Sequence, residues 1–270
     1  MKPPHGGSEM SGENRRGGWK KILSRAQLEE IAAAVTDDFD RFFFGVSQEE
    51  EREDILPTPI DQLAKEYLGL EVVFAPLSSD GSVCGLTAYA ETNFTTEENG
   101  VTRCFPLKKN QVVLDESFIQ PGQVRKLCGK RRFTLAHECA HQILFQLESD
   151  EVKSRWKDAY ATRKVYSLRD LKSKEDWNEW QANVLGAALL MPQKEMELAM
   201  WKFAQCRTLQ NYQGRFPYLD QQALKSVCQS FGVSRAAAII RLRELGYLDD
   251  HPYQEFHDPV KMRWTREGWR

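Results

Sequence analysis

The sequence predicts an α+β fold in which a small, mostly antiparallel sheet packs on a pair of helices and a helix-turn-helix-like unit follows. The sheet is indicated by four short runs rich in β-branched and aromatic residues, at 71–77, 85–90, 101–107 and 111–117. Turn signals such as Asn99-Gly100 separate these runs. Helical periodicity flanks them on both sides, and Gly232 joins two late helical runs.

These elements divide the chain into four parts. Residues 1–18, which are rich in Gly, Pro and charged residues, are expected to form a disordered tail. Residues 19–200 are expected to hold the sheet and the helix pair, and residues 201–249 the late helical unit. Residues 250–270 are expected to form a C-terminal tail whose His residues lack the spacing of metal ligands.

The first helix is expected to begin after Ser24, because Ser24 and Gln27 match a capping box. Apolar residues at helical spacing predict its buried face, which would comprise Leu28, Ile31, Val35, Phe39 and Phe42. A short second helix that ends at Gly69 is expected to lead into the sheet.

A helix over residues 131–147 is predicted by an apolar stripe that no Gly or Pro interrupts. It carries the sequence HECAH, in which His137 and His141 are four residues apart and therefore lie on one helix face. Two imidazoles, a carboxylate from elsewhere and a water make the open tetrahedral zinc site of a hydrolase, where Glu138 would take the proton of that water. The alternative is a histidine pair that is hydrogen-bonded to carboxylates.

The third ligand is expected among the acidic residues that follow, which are Glu148, Asp150, Glu151, Glu175, Asp176 and Glu179. Spacing favours Glu179, because it lies in a second predicted helix that starts with a capping box at Ser173 and stops before Pro192. Asn183 is four residues further on and would accept the second N–H of a ligating imidazole. Spacing alone leaves open that Glu179 is a solvated residue and Asn183 a packing residue.

The runs RRFTLAHECAHQIL at 131–144 and EWQANVLGAALLMP at 179–192 resemble the ImmA/IrrE family of metallo-endopeptidases. The likeness extends over residues 22–248 and includes FGVSRAAAIIRLRELGYL late in the chain. It implies a zincin-like HExxH metallopeptidase domain with one Zn²⁺ per chain. His137, His141 and Glu179 would be its ligands, and Glu138 the catalytic base.

Four residues depart from the usual pattern of the family. Leu185 and Gly186 stand where Phe-Ala is usual, and Cys139-Ala140 replaces the commoner Leu-Gly. We expect these positions to pack on the backs of the two helices. Cys139 lies two residues from each histidine, off the ligand stripe, and is therefore expected to be a core residue.

The composition is that of a soluble globular protein of 270 residues with a formal net charge of -2. A net charge this close to zero does not favour binding to nucleic acid or to a membrane surface. The six cysteines include no C-x-x-C pair, and no apolar run approaches the length of a membrane span. Because the first twenty residues are polar and Gly-rich, no signal peptide is expected. A cytoplasmic location with reduced thiols is therefore expected.

Two further expectations concern binding. The last predicted strand, at 112–117, is expected to border the cleft and to pair with an extended peptide substrate, unless it is a buried strand without a free edge. Direct DNA binding by the late helical unit is not favoured, because between Leu219 and Leu248 the positive residues exceed the negative ones by only two. The positive residues are Lys225, Arg235, Arg241 and Arg243, and the negative ones Asp220 and Glu244.

The family resemblance implies cleavage of a cognate helix-turn-helix repressor, which relieves repression of stress or mobile-element genes. One alternative is a regulatory protein that binds a repressor or DNA without cutting it, and another is a peptidase of broad specificity. The donor that steadies the oxyanion stays open among Tyr160, Tyr166, Arg215 and Tyr218.

Overall fold

The computed structural model of the chain describes residues 22–45, 54–78, 81–98, 101–150, 153 and 177–256. The predicted tail at 1–18 and the capping box at Ser173 lie outside these ranges. The seven helices within them are α1 (Arg25–Phe44), α2 (Ile60–Gln62), α3 (Val124–Gln146), α4 (Trp177–Leu190), α5 (Gln193–Ala204), α6 (Tyr218–Phe231) and α7 (Arg235–Glu244). The seven strands are β1 (Glu71–Ala75), β2 (Gly85–Ala88), β3 (Thr92–Glu98), β4 (Val101–Leu107), β5 (Gln111–Asp115), β6 (Leu209–Tyr212) and β7 (Leu248–His251).

The predicted capping box of α1 is confirmed. The backbone N–H of Gln27 donates to Ser24 Oγ at 3.3 Å, and Gln27 Oε1 accepts from the backbone N–H of Ser24 at 2.9 Å. The buried face was predicted correctly at Leu28 and Phe39, but Phe42 is 77% exposed. The buried residues of the helix, Leu28, Ala32, Thr36 and Phe39, are followed on the same face by the half-buried Phe43, four residues after Phe39, rather than by Phe42.

The short helix before the sheet also ends where the sequence predicts. α2 continues as a π-helical turn over Leu63–Tyr67, in which Leu68 donates its backbone N–H to the carbonyl of Leu63 at 2.9 Å. Gly69 then adopts a φ of 64°, a left-handed conformation that glycine reaches without steric cost. The chain can therefore leave the helix and enter β1.

The central sheet has three strands in the order β1-β5-β2, with β1 parallel and β2 antiparallel to β5. β3 and β4 form a separate antiparallel hairpin. The expectation of a mostly antiparallel sheet therefore fails at the β1–β5 pair, and β3 was not predicted. Its sequence, TNFTTEE, is too polar for the alternation of apolar and polar residues that marks a strand.

The expectation that the last strand borders a substrate cleft is wrong. β5 is the central strand, with β1 on one side and β2 on the other, and all five of its residues are buried. A continuous apolar run such as Val112–Leu114 is typical of a strand that is covered on both faces. Within the described part of the chain, the edges of this sheet belong to β1 and β2.

The two faces of β5 contact different layers. Val112 and Leu114 share a core with Leu135 and Cys139 of α3, whereas Val113 packs in a second cluster with the β3–β4 hairpin. α4 packs along α3 and also contacts α1. Cys139 is fully buried, as predicted for a core residue, and the six cysteines are free thiols.

The late helices α6 and α7 lie where the sequence predicts them. Gly232, with a φ of 61°, ends α6, and the Ser234 hydroxyl caps α7 by accepting the backbone N–H of Ala237 at 3.2 Å. β6 and β7 pair in parallel beside these helices. Phe231 and Leu242 belong to the same hydrophobic core as α3, so the late helices are packed against the rest of the chain.

The division of the chain into one unit at residues 19–200 and a second at 201–249 stays a prediction.

Within the described ranges, no helix combines the length and the apolar character that a membrane span requires.

Candidate metal centre

α3 and α4 bring the three predicted ligand side chains together. Glu179 Oε2 lies 3.1 Å from His137 Nε2, and Glu179 Oε1 lies 3.4 Å from His141 Nε2. The two Nε2 atoms are 3.0 Å apart. Among the described His, Cys, Asp and Glu residues, this is the group of three whose ligand atoms converge, all within 4.8 Å of one another.

These spacings fit a tetrahedral zinc ion. Bonds of 2.0 to 2.2 Å at tetrahedral angles separate neighbouring ligand atoms by about 3.3 to 3.6 Å. The measured separations are 3.0 Å between the two Nε2 atoms and 3.1 and 3.4 Å from these atoms to the two oxygens of Glu179, so they lie within this range or up to about 0.3 Å below it. Two imidazole nitrogens and one carboxylate also form a donor set of the kind that catalytic zinc uses, with a fourth position left for water.

Asn183 contacts the first histidine from the far side of its ring. Its Oδ1 atom lies 3.0 Å from His137 Nδ1. If the amide oxygen accepts the Nδ1 proton, the neutral tautomer of His137 presents the lone pair of Nε2 to the other two ligands. Glu179 and Asn183 therefore both face α3, as their spacing of four residues on α4 predicts.

Gly186 makes the close approach of the two helices possible, a role that the sequence analysis missed. A Cβ atom at this position would lie 3.0 Å from the backbone nitrogen of His137 and 3.1 Å from its Cα. Gly186 is therefore at the contact between α3 and α4, and the expectation that it packs on the back of the helix is wrong. Its only sequence signal is a glycine inside an otherwise apolar helical run.

The charges of the cluster favour an ionised carboxylate. Hydrogen bonds with His137 and His141 hold the pKa of Glu179 well below its usual range, against the opposing effect of burial. Burial disfavours the charged form of His137, but the hydrogen bond with Glu179 and the nearby charge of Glu138 outweigh it and raise the pKa of His137. The ionised carboxylate favours a bound cation, whereas the raised pKa of His137 means that a metal ion has to displace a proton from this imidazole.

Glu138 lies beside the ligands but points to a different neighbour. It is 5% exposed, and burial raises its pKa to about 7, although the charge of His137 acts to lower it. Its side chain lies against β2: a Cβ atom at Gly85 would be 2.8 Å from Glu138 Oε1. A carboxyl group with a pKa near neutrality can both accept and release a proton at physiological pH.

β2 is held against α3 by a second contact. Gln142, which is 3% exposed, donates its side-chain N–H to Thr87 Oγ1 at 2.6 Å and to the carbonyl oxygen of Ala88 at 3.2 Å. Because Glu138 and Gln142 are four residues apart, both lie on the face of α3 that meets the sheet. The histidine face, in contrast, meets α4.

The other predicted candidates have different outcomes. Glu148 and Asp150 are outside the convergent group. Glu151, Glu175 and Asp176, together with the oxyanion candidates Tyr160 and Tyr166, lie outside the described residues. Arg215 places its guanidinium 5.0 Å from the ring centre of Tyr253, and Tyr218 begins α6 as an exposed residue. The choice of the oxyanion donor therefore stays a prediction.

Comparison with known proteins identifies the region that contains the site. Residues 126–243 match the family model described as Peptidase_M78, the IrrE N-terminal-like domain. These residues include both helices of the site. A search of curated proteins returned no match.

Proposed function

We propose that this chain, which over residues 126–243 belongs to the ImmA/IrrE family of metallopeptidases, is a zinc-dependent endopeptidase that cleaves a cognate helix-turn-helix repressor. Cleavage would relieve repression of stress or mobile-element genes. The observation that carries the proposal is the convergence of His137, His141 and Glu179 beside the buried carboxyl group of Glu138. Metal ligands of this kind next to a buried acid form the working parts of a metal-assisted hydrolase.

Each side chain of the site has a separate role in the proposed reaction. His137, His141 and Glu179 would hold one Zn²⁺, which when bound polarises the scissile carbonyl and lowers the pKa of a water. Glu138 removes the proton of the attacking water and then delivers it to the leaving amine. Asn183 orients His137 through the Nδ1 hydrogen bond of 3.0 Å.

The edge strand β2 is the proposed binding place of the substrate backbone. It ends the three-stranded sheet and lies directly against the helix that carries Glu138. An extended segment that pairs with β2 gains affinity from backbone hydrogen bonds, which do not require a particular sequence. Selectivity for one repressor would then come from contacts elsewhere on the protein.

The second candidate function is that of a non-cleaving regulator that binds DNA or a repressor. The ion pairs of the late helices help to judge whether these helices could bind DNA. Arg241 is fully buried, where it donates to the carbonyl of Met191 at 3.0 Å and pairs with Glu29. Arg243 pairs with Asp250 at 2.6 Å. Two of the four cations that would contact DNA are thus engaged by carboxylates of the protein, which favours a packing role for these helices.

The test uses the repressor-like product of a neighbouring gene, incubated with the purified protein and resolved by mass spectrometry. We expect cleavage at one site, loss of cleavage with a chelator and its return on addition of zinc. A Glu138→Gln protein should retain zinc and the repressor but cut far more slowly, with only a residual rate left. Tight association without cleavage by the wild-type protein would instead support the non-cleaving regulator.

A further inference from the structure

The approach of β2 to α3 leaves no room for a side chain at Gly85. A Cβ atom built there would lie 2.5 Å from Thr134 Cγ2, 2.8 Å from Glu138 Oε1 and 3.2 Å from Glu138 Cγ. Contacts shorter than 3.0 Å are not found between real Cβ atoms and their neighbours, so any larger residue at this position requires a displacement. The strand therefore meets the side chain of the proposed base in direct contact.

Position 85 requires a glycine because the gap between β2 and α3 is narrow, not because of its backbone conformation. Gly85 is not among the glycines with positive φ, and it pairs with Leu114 in a regular antiparallel register. An L-residue can adopt that backbone without strain. Glycine inside a strand is otherwise unfavourable, and it is typical of places where another group must come close.

The three residues of α3 that face β2 form one row. Thr134, Glu138 and Gln142 follow each other at intervals of four, which puts them on one side of the helix. Gln142 ties the far end of β2 through its hydrogen bonds to Thr87 and Ala88. This tether fixes the separation between strand and helix, and with it the gap that Glu138 occupies next to Gly85.

Glu138 is the group that yields most easily if the gap is filled. Thr134 is held by a hydrogen bond of 3.0 Å from its hydroxyl to the carbonyl of Lys130. β2 is held by its pairing with β5. The carboxyl group of Glu138, in contrast, is the end of a side chain with rotatable bonds, and moving it breaks no backbone interaction.

We propose that Gly85 is a positioning residue for Glu138: by leaving a side-chain-sized gap between β2 and α3, it sets where the carboxylate of the base stands relative to the metal ligands. The catalytic part of this inference rests on the proposed function, whereas its structural part does not. A methyl group at Gly85 moves the carboxylate and leaves the metal ligands, which meet between α3 and α4, in place.

The first measurement, which does not depend on activity, is a crystal structure of Gly85→Ala combined with Thr134→Ser. The second substitution removes the 2.5 Å contact with Thr134 Cγ2, so that Glu138 is the group left in the way of the new methyl group. Moving Glu138 Oε1 from 2.8 Å to an ordinary contact distance of 3.4 Å requires a displacement of about 0.6 Å. We expect at least this shift of the carboxylate, with unchanged spacing between His137, His141 and Glu179. A structure in which β2 moves as a body and Glu138 stays in place would overturn the proposal.

The second measurement is a double-mutant cycle on repressor cleavage. A misplacement of this size should lower kcat roughly 10- to 100-fold in Gly85→Ala, with KM and zinc content unchanged. If Gly85 acts through Glu138, the same substitution costs nothing further in a Glu138→Gln protein. Penalties that multiply in the double variant would contradict the proposal.

Two additional variants keep the experiment decisive. If Gly85→Ala does not fold, Gly85→Ala with Thr134→Ser removes the contact of 2.5 Å and leaves the one of 2.8 Å to Glu138, so the same loss of kcat is expected.

Gly129→Ala is the matched control, because a Cβ there meets the backbone of Ser234 at 2.8 Å instead. Its effect on cleavage should multiply with that of Glu138→Gln. Absence of chelator-sensitive cleavage by the wild type would refute the proposed function, while the crystal structure still decides the position of Glu138.

Discussion

Replacement of Gly186 by alanine is expected to weaken zinc binding without unfolding the protein. The new Cβ would lie 3.0 Å from the backbone nitrogen of His137, where an ordinary contact begins at 3.4 Å. Because the obstructing atoms belong to the backbone of α3, the helices must separate by about 0.4 Å. Glu179 and Asn183 lie on the same face of α4 and move with it.

That displacement exceeds what a zinc site tolerates, since ligand distances vary by only about 0.2 Å among functional sites. We therefore expect zinc affinity to fall roughly 10- to 100-fold, which corresponds to about 1.4 to 2.8 kcal/mol. The fold itself should change little in stability. Overpacking costs about 1 to 3 kcal/mol, and the higher helix propensity of alanine returns about 1 kcal/mol.

The assay is a competition titration against a chromophoric zinc chelator, with thermal unfolding of the zinc-free protein measured in parallel. Gly129→Ala is again the control, since it presses on the turn before α7 and should leave zinc affinity unchanged. A folded Gly186→Ala protein with wild-type zinc affinity would refute the argument. So would an equal loss of affinity in Gly129→Ala.

Three further predictions follow from other contacts. Asn183→Leu removes the acceptor of the imidazole N–H without changing the side-chain size, so zinc affinity measured by the same titration should fall roughly 10- to 100-fold. Arg241→Met leaves the carboxylate of Glu29, 18% exposed, without its buried partner, and urea unfolding should show a loss of about 3 kcal/mol that Glu29→Gln partly restores. The hydrogen bond from Arg131 holds the pKa of Asp61 in the folded protein below its usual value of 3.8. The stability that this pair contributes is therefore fully present above pH 3.8, and it is lost as the pH falls through the lower pKa of the folded protein. Because the pair is partly exposed, Asp61→Asn should cost less than about 1 kcal/mol at pH 7 and nothing in strong acid, as measured by the unfolding free energy against pH.

The site was predictable where its geometry is local. His137 and His141 lie on one helix face because they are four residues apart, and Glu179 and Asn183 follow the same rule on a second helix. The sequence predicts each pair, and the spacing of polar residues then suggests that the pairs meet. Distances within one helix need no knowledge of the rest of the fold.

The features that escaped prediction depend on how distant segments approach each other. Gly85 and Gly186 are needed because each lies close to atoms of residues about fifty positions away in the chain. A sequence shows only that a glycine interrupts a regular element. The error about the substrate strand was avoidable, because an uninterrupted apolar run at Val112–Leu114 favours a central strand over an edge. The parallel pairing of β1 with β5 had no local signal, since three strands intervene along the chain.

The most direct test of the account is anomalous diffraction at the zinc edge from crystals of the protein grown with zinc. We predict one anomalous peak between α3 and α4, about 2.0 to 2.2 Å from the Nε2 atoms of His137 and His141 and from a carboxylate oxygen of Glu179. Absence of the peak at full zinc supply, or a peak bonded to other side chains, would contradict the claim that these three residues form the metal centre.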